Sequence, residues 1–118
     1  MEREFDRKEA KKFLLGREQK EDQKREEERL SLLQRAISVL KDQFSGSGTQ
    51  VFLVGSILRP RQFNAASDID IVLKNFKGDR FQIWGQLEEL LQRDIEIIIF
   101  EQCHFKEFIE KEGLKVVE

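Results

Sequence analysis

Residues 51–73 have the sequence VFLVGSILRPRQFNAASDIDIVL, in which two apolar runs are joined by a polar loop. The first run predicts a buried strand that ends at the turn Gly55-Ser56. The second run also predicts a strand, although it carries two aspartates, which strands disfavour. Because strand side chains alternate between faces, Asp68 and Asp70 point to the same side of the sheet. Two carboxylates this close repel each other, and a divalent cation bound to their oxygens removes the repulsion.

The Gly55-Ser56 turn gains its significance from its position after a buried strand. Backbone amides and a hydroxyl at such a turn can bind phosphate oxygens, and a glycine has no Cβ to block a close approach. Neither the Gly-Lys-Ser/Thr of a P-loop nor a dinucleotide-binding glycine fingerprint occurs in the chain. Together with the aspartates, the turn favours metal-assisted chemistry on a nucleoside triphosphate.

A third acidic residue lies inside the apolar run 95–100, which predicts another strand. A buried carboxylate is costly unless it is paired or bound to a metal, so Glu96 needs an explanation. If this strand lies beside that of Asp68 and Asp70, three carboxylates converge. The alternative, left open by the sequence, is that Glu96 is an exposed acid on a half-solvated sheet face. Asp94, on the same face, is interpreted as a solvated acid at the start of the strand.

The rest of the chain divides into two predicted parts. Residues 1–29 carry ten basic and ten acidic side chains and few apolar ones, which predicts a charged helical or partly disordered arm. Residues 30–118 predict one α/β (α+β) domain, a small mixed β-sheet with flanking helices. Its helices are predicted from the apolar stripe between Leu30 and Phe44, from the cap residue Asp79 and from a segment ending at Gly113.

Composition limits the classes of partner. The 118 residues carry a net charge of −2, so there is no overall attraction to nucleic acid, and nucleic acid is not an expected partner. The sequence has no apolar run that could span a bilayer, so no membrane association is expected. Its single cysteine, Cys103, excludes an internal disulfide and is typical of a cytoplasmic protein. Cys103-His104 is interpreted as structural, because no further Cys or His accompanies the pair.

These motifs together resemble a known family. Gly55-Ser56, the Ser67-Asp68-Ile69-Asp70-Ile71 run and a carboxylate in a following strand are similar to the polymerase-beta-type nucleotidyltransferase superfamily. The small size and the closing Glu112-Gly113 step before a short apolar tail resemble its prokaryotic minimal nucleotidyltransferases. The resemblance covers about residues 30–118 and implies the nucleotidyltransferase fold.

The resemblance also implies an activity and its residues. Gly55, Ser56 and Ser67 would bind the nucleotide, and the three acids Asp68, Asp70 and Glu96 would be catalytic and hold two Mg²⁺ ions. The reaction would move AMP from ATP, the donor substrate, to a hydroxyl acceptor. Minimal nucleotidyltransferases that resemble this chain are typically encoded with a small helical HEPN-type partner, and some are antitoxins that adenylylate this toxin, which makes such a protein the expected partner.

Two departures from the family pattern favour an alternative. Arg59-Pro60 stands where the family usually has Arg-Gly, and Glu96 stands where an aspartate is usual. The alternative is a catalytically degenerate binding module that masks a toxin or assembles with a larger subunit. The apolar residues of the arm leave a homo-oligomer open as well.

Overall fold

The structure is a computed structural model that describes the backbone of residues 2–118 and the side chains of residues 20–118. Within this range the chain forms a mixed α/β fold with three α-helices and one four-stranded sheet. The elements in chain order are α1 (Glu2–Phe44), β1 (Gln50–Val54), β2 (Ile69–Lys74), α2 (Arg80–Leu91), β3 (Ile95–Ile99), α3 (Lys106–Glu112) and β4 (Leu114–Val117). Two short 3₁₀ turns follow β1 and β3, at Gly55–Leu58 and Phe100–Gln102.

The sheet has the strand order β3-β2-β1-β4. β1 runs antiparallel to both of its neighbours, whereas β2 and β3 are parallel and are connected through α2. A parallel pair needs such a crossover, because a tight turn can only join antiparallel strands. The end of β1 therefore lies at the same edge of the sheet as the beginnings of β2 and β3.

Each face of the sheet has its own apolar cluster. The larger cluster packs α1 and α2 against one face, which we call the helix face, through the inward residues of β1, β2 and β3. The smaller cluster lies on the opposite face, which we call the acidic face, and consists of Phe52, Val54, Val72, Phe100 and Ile109. Ile109 of α3 is fully buried there, so α3 covers part of the acidic face beside β1.

The strands and short helices agree closely with the sequence predictions. The prediction of a cap at Asp79 is confirmed, because its carboxylate accepts hydrogen bonds from the amides of Phe81 and Gln82 at 2.9 and 3.1 Å. This contact satisfies two of the amides that the first turn of α2 leaves without a helical partner. The helix predicted to stop at Gly113 ends there, and β4 follows directly.

The helix α1 runs without interruption through the predicted division at residue 29. That division, into an arm of residues 1–29 and a domain of residues 30–118, stays a prediction. The apolar stripe is confirmed at Leu40 and Phe44, which are buried, but it is wrong at Leu30, which is 47% exposed. The preceding residue, Arg29, is buried instead, because its guanidinium hydrogen-bonds to Glu26 and to the carbonyl of Ile57. The apolar side chains of the arm that left a homo-oligomer open, between Phe5 and Leu15, lie outside the described residues.

Within residues 2–118, no helix combines the length and the apolar character that crossing a bilayer requires.

Candidate active site

The acidic face carries a pair of carboxylates at the edge where β2 and β3 begin. Asp70 and Glu96 are direct neighbours in the parallel register of these two strands, and Val54 is opposite Asp70 on β1. Adjacent strands lie about 4.8 Å apart, so the two acidic side chains stand next to each other. Asp70 is half-buried. Glu96 is exposed, so the alternative of an acid on a half-solvated sheet face is confirmed and the expectation of a buried Glu96 is wrong, although its strand does lie beside that of Asp70. The structure thus brings together two of the three acids that the sequence singled out.

The pKa of the Asp70 carboxyl reflects this position. Burial is the largest cause that raises it, followed by the like charge of Glu96 and a hydrogen bond with Glu96, and together these bring the pKa to about 6. Asp68 makes the smallest contribution, as a further negative charge. Asp68 is exposed and lies just before β2. The carboxyl of Asp70 is therefore harder to ionise than that of an ordinary aspartate.

Gly55 lies directly against Asp70. Its φ of +83° is a left-handed conformation that residues with a side chain rarely adopt. A Cβ at this position would overlap Oδ2 of Asp70, so only glycine lets the turn after β1 approach the carboxylate this closely. The predicted phosphate turn therefore lies directly against one of the three predicted acids.

A small pocket of about 160 Å³ opens beside this glycine. It lies between the 3₁₀ turn after β1 and helix α3, and its lining residues include Gly55, Arg59, Phe108 and Glu112. Arg59 supplies a positive charge at the wall of the pocket and Glu112 a negative one. Arg59 lines this pocket, whereas Arg61, the other arginine that the sequence places shortly after Gly55-Ser56, does not.

The predicted nucleotide-binding residue Ser67 belongs to the loop that joins the 3₁₀ turn to β2. Its hydroxyl oxygen accepts a hydrogen bond from the amide of Asn64 at 3.0 Å, and its own amide donates to the carbonyl of Asn64 at 3.0 Å. Arg93 donates to the carbonyl of Ser67 at 3.1 and 3.2 Å and to that of Asn64. Ser67 thus closes a turn that leads the chain into Asp68. Ser56 lies in the 3₁₀ turn, where its carbonyl accepts from the amide of Arg59 at 3.0 Å.

The acids could supply only part of the ligands that a magnesium ion needs. Within the part of the chain that the structure describes, no group of three or more His, Cys, Asp and Glu side chains is arranged to hold a metal. Mg²⁺ is commonly bound through one or two carboxylates, with water and substrate phosphates completing the shell. Asp70 and Glu96, beside a turn without a Cβ, match that partial set.

Sequence reasoning missed three residues that fix the loops around this site. Arg29 and Glu26 of α1 contact the segment after Gly55, and Arg93 contacts the turn before Asp68. An arginine that binds backbone carbonyls far away in sequence leaves no periodic signal. The only hint is that Arg29 directly precedes the apolar stripe of α1.

Comparison of the chain with protein-family models, with curated proteins and with solved structures finds no match in any of the three.

Proposed function

We propose that this protein is a magnesium-dependent nucleotidyltransferase with the nucleotidyltransferase fold, which moves AMP from ATP to a hydroxyl acceptor. The observation that carries the proposal is the close approach of a left-handed Gly55 to Asp70, whose neighbour in the sheet is Glu96. The motifs that resemble the minimal nucleotidyltransferases are thereby joined at one edge of the sheet.

The energetics of the acidic pair support a ligand of positive charge. Like charges that face each other across adjacent strands destabilise a sheet, and burial adds to the cost at Asp70. A magnesium ion would be held by Asp70 and Glu96, with Asp68 as a further ligand, and a second ion would share them. When bound, magnesium neutralises charge on the phosphates and favours ionisation of the acceptor hydroxyl.

The chain's own residues have distinct roles in this proposal. The amide side of the Gly55-Ser56 turn would bind the triphosphate, and Arg59 would pair with its oxygens from the neighbouring pocket. The acceptor oxygen attacks the α-phosphorus, a new O–P bond forms, and the bond to the β-phosphate oxygen breaks. Pyrophosphate leaves with the electron pair, and a Glu96 carboxylate oxygen takes the acceptor's proton.

The acceptor in this proposal is a protein hydroxyl on a helical HEPN-type toxin, and the chain is its cytoplasmic antitoxin. The family resemblance is the basis for this choice.

The test uses the full chain with the protein encoded next to it, Mg²⁺, and ATP labelled either at the α-phosphate or at the γ-phosphate. We expect label from the α position, and none from the γ position, to become covalently attached to the partner. Asp70→Asn should abolish the labelling, whereas the exposed acid Asp42 on α1 offers a matched control, since Asp42→Asn should label normally. Full labelling by Asp70→Asn would refute the catalytic role.

A second candidate function is a catalytically degenerate module that binds a toxin without modifying it. The exposed side chain of Asp68 and the lack of a three-acid metal cluster in the described residues favour this candidate. A tight complex with the partner, formed without label and unaffected by chelation of Mg²⁺, would support the module over the enzyme.

A further inference from the structure

The segment from Gly55 to Arg61 begins with the proposed phosphate turn and leads into the loop before the acids. It contains no strand and only a short 3₁₀ turn. Arg61 also has a positive φ of 68°. A segment of this kind is not held by regular backbone pairing, so its conformation depends on contacts from other elements.

Arg29 of α1 supplies one of these contacts. It is 6% exposed, and its Nη1 donates to the carbonyl of Ile57 at 2.8 Å. Ile57 is itself fully buried and lies two residues after Gly55. A guanidinium is rarely buried unless its donors are paired, so this contact is a specific part of the fold.

Glu26 orients that guanidinium and makes a contact of its own. Both of its carboxylate oxygens accept from Arg29, from Nε and from Nη2, each at 2.9 Å. Oε1 also accepts from the backbone amide of Arg61 at 3.1 Å. The two residues are one turn apart on α1, and their paired geometry is the bidentate kind that fixes direction as well as distance. Together, Arg29 and Glu26 hydrogen-bond to the backbone at both ends of the 57–61 segment.

We propose that Arg29, oriented by Glu26, is a positioning residue that fixes the Gly55–Arg61 segment in the conformation that binds the triphosphate. This inference rests on the proposed nucleotidyltransferase function. It gives α1 a role beyond covering the helix face, since the charged part of this helix would set the geometry of the phosphate turn.

The experiment measures amide hydrogen exchange across residues 55–61 without nucleotide, and then the dissociation constant, KM and kcat for ATP with Mg²⁺, on the full chain. Arg29→Met should speed exchange in this segment and weaken ATP binding about tenfold, as loss of an outer supporting contact commonly does. KM should rise more than kcat falls, because the chemistry-bearing acids are untouched. Arg29→Lys keeps the charge and should recover part of the affinity.

Arg35 provides a matched control, because it also reaches from α1 to a backbone carbonyl, that of Leu90, at 2.9 Å. Arg35→Met should leave exchange at residues 55–61 and ATP affinity unchanged. If Arg29→Met does not fold, as judged by circular dichroism, Glu26→Gln replaces it. Glu26→Gln keeps the Ile57 contact and should weaken binding in the same direction to a smaller extent.

Two results would overturn the inference: ATP affinity unchanged in Arg29→Met, or an equal loss in Arg35→Met. A wild-type chain that binds no ATP with Mg²⁺ would instead refute the proposed function. In that case, the exchange measurement still decides whether Arg29 holds the segment.

Discussion

Replacing Asp70 by asparagine should stabilise this protein in a metal-free buffer at neutral pH, although it should abolish AMP transfer. The reason is that the Asp70 carboxyl, with a pKa of about 6, is strained in its ionised form by burial and by Glu96. The native state therefore binds more protons than the unfolded state between about pH 4 and pH 6, and the stability that Asp70 contributes is lost as the pH rises through this window. Asparagine keeps the shape without the charge.

The magnitude follows from the size of the pKa change. A rise from 3.8 to about 6 would correspond to about 3 kcal/mol if the group were fully shielded from water. Since Asp70 is half-buried, solvent screens part of the repulsion, and we expect Asp70→Asn to gain about 1–1.5 kcal/mol at pH ~7.5. Below about pH 4 the carboxyl is protonated in both states, so the gain should vanish.

The assay is urea denaturation in the presence of a chelator, followed by the fluorescence of the single tryptophan, Trp84, which packs against the core. Asp42→Asn, which removes an exposed carboxylate on α1, serves as the control for loss of a negative charge. Adding excess Mg²⁺ should stabilise the wild type and leave Asp70→Asn unchanged. Equal stability of wild type and Asp70→Asn across the whole pH range would refute the account of the acidic pair.

Three further substitutions test the site and its surroundings. Glu96→Gln should lower the pKa of Asp70 toward its ordinary value, measured by NMR titration of the carboxyl carbon, and should abolish transfer. Gly55→Ala should cost about 1–3 kcal/mol in urea denaturation, because alanine disfavours a φ of +83° and its Cβ overlaps Asp70; ATP binding should fall with it. Asp79→Ala removes a helix cap and should cost about 1 kcal/mol in the same assay. ATP affinity in Asp79→Ala, measured by calorimetry, should match the wild type, and a loss would contradict the assignment of the site.

β1, β2 and β3 could be predicted from the sequence, because each is an apolar run with turn residues beside it. The alternation rule also placed Glu96 on one face of its strand. The sequence alone did not decide whether that strand pairs with β2. The register between parallel strands depends on how α2 packs across the sheet. The structure provides this pairing, with Asp70 beside Glu96.

The contacts of α1 could not be predicted for a different reason. The change in composition at residue 29 indicated a boundary, yet both parts favour helix, and the helix continues through it. Burial of Arg29 depends on a carbonyl 28 residues away, and the next residue, Leu30, is exposed although it is apolar. Local patterns describe which residues prefer to be buried, whereas tertiary partners decide which ones are.

The electrostatic repulsion between Asp70 and Glu96 distinguishes the two candidate functions, because each function would relieve it with a different cation. An enzyme would use a divalent ion, which coordinates carboxylate oxygens and phosphate together, so Mg²⁺ alone should stabilise the chain and ATP should add to the effect. A binding module would instead insert a lysine or arginine of its partner between Asp70 and Glu96, and the stabilisation would follow the partner and ignore chelators. Because the Gly55 turn packs directly against Asp70, a ligand bound at the acidic pair would also lie next to this turn, and a phosphate that reached both would need a divalent ion between itself and the carboxylates.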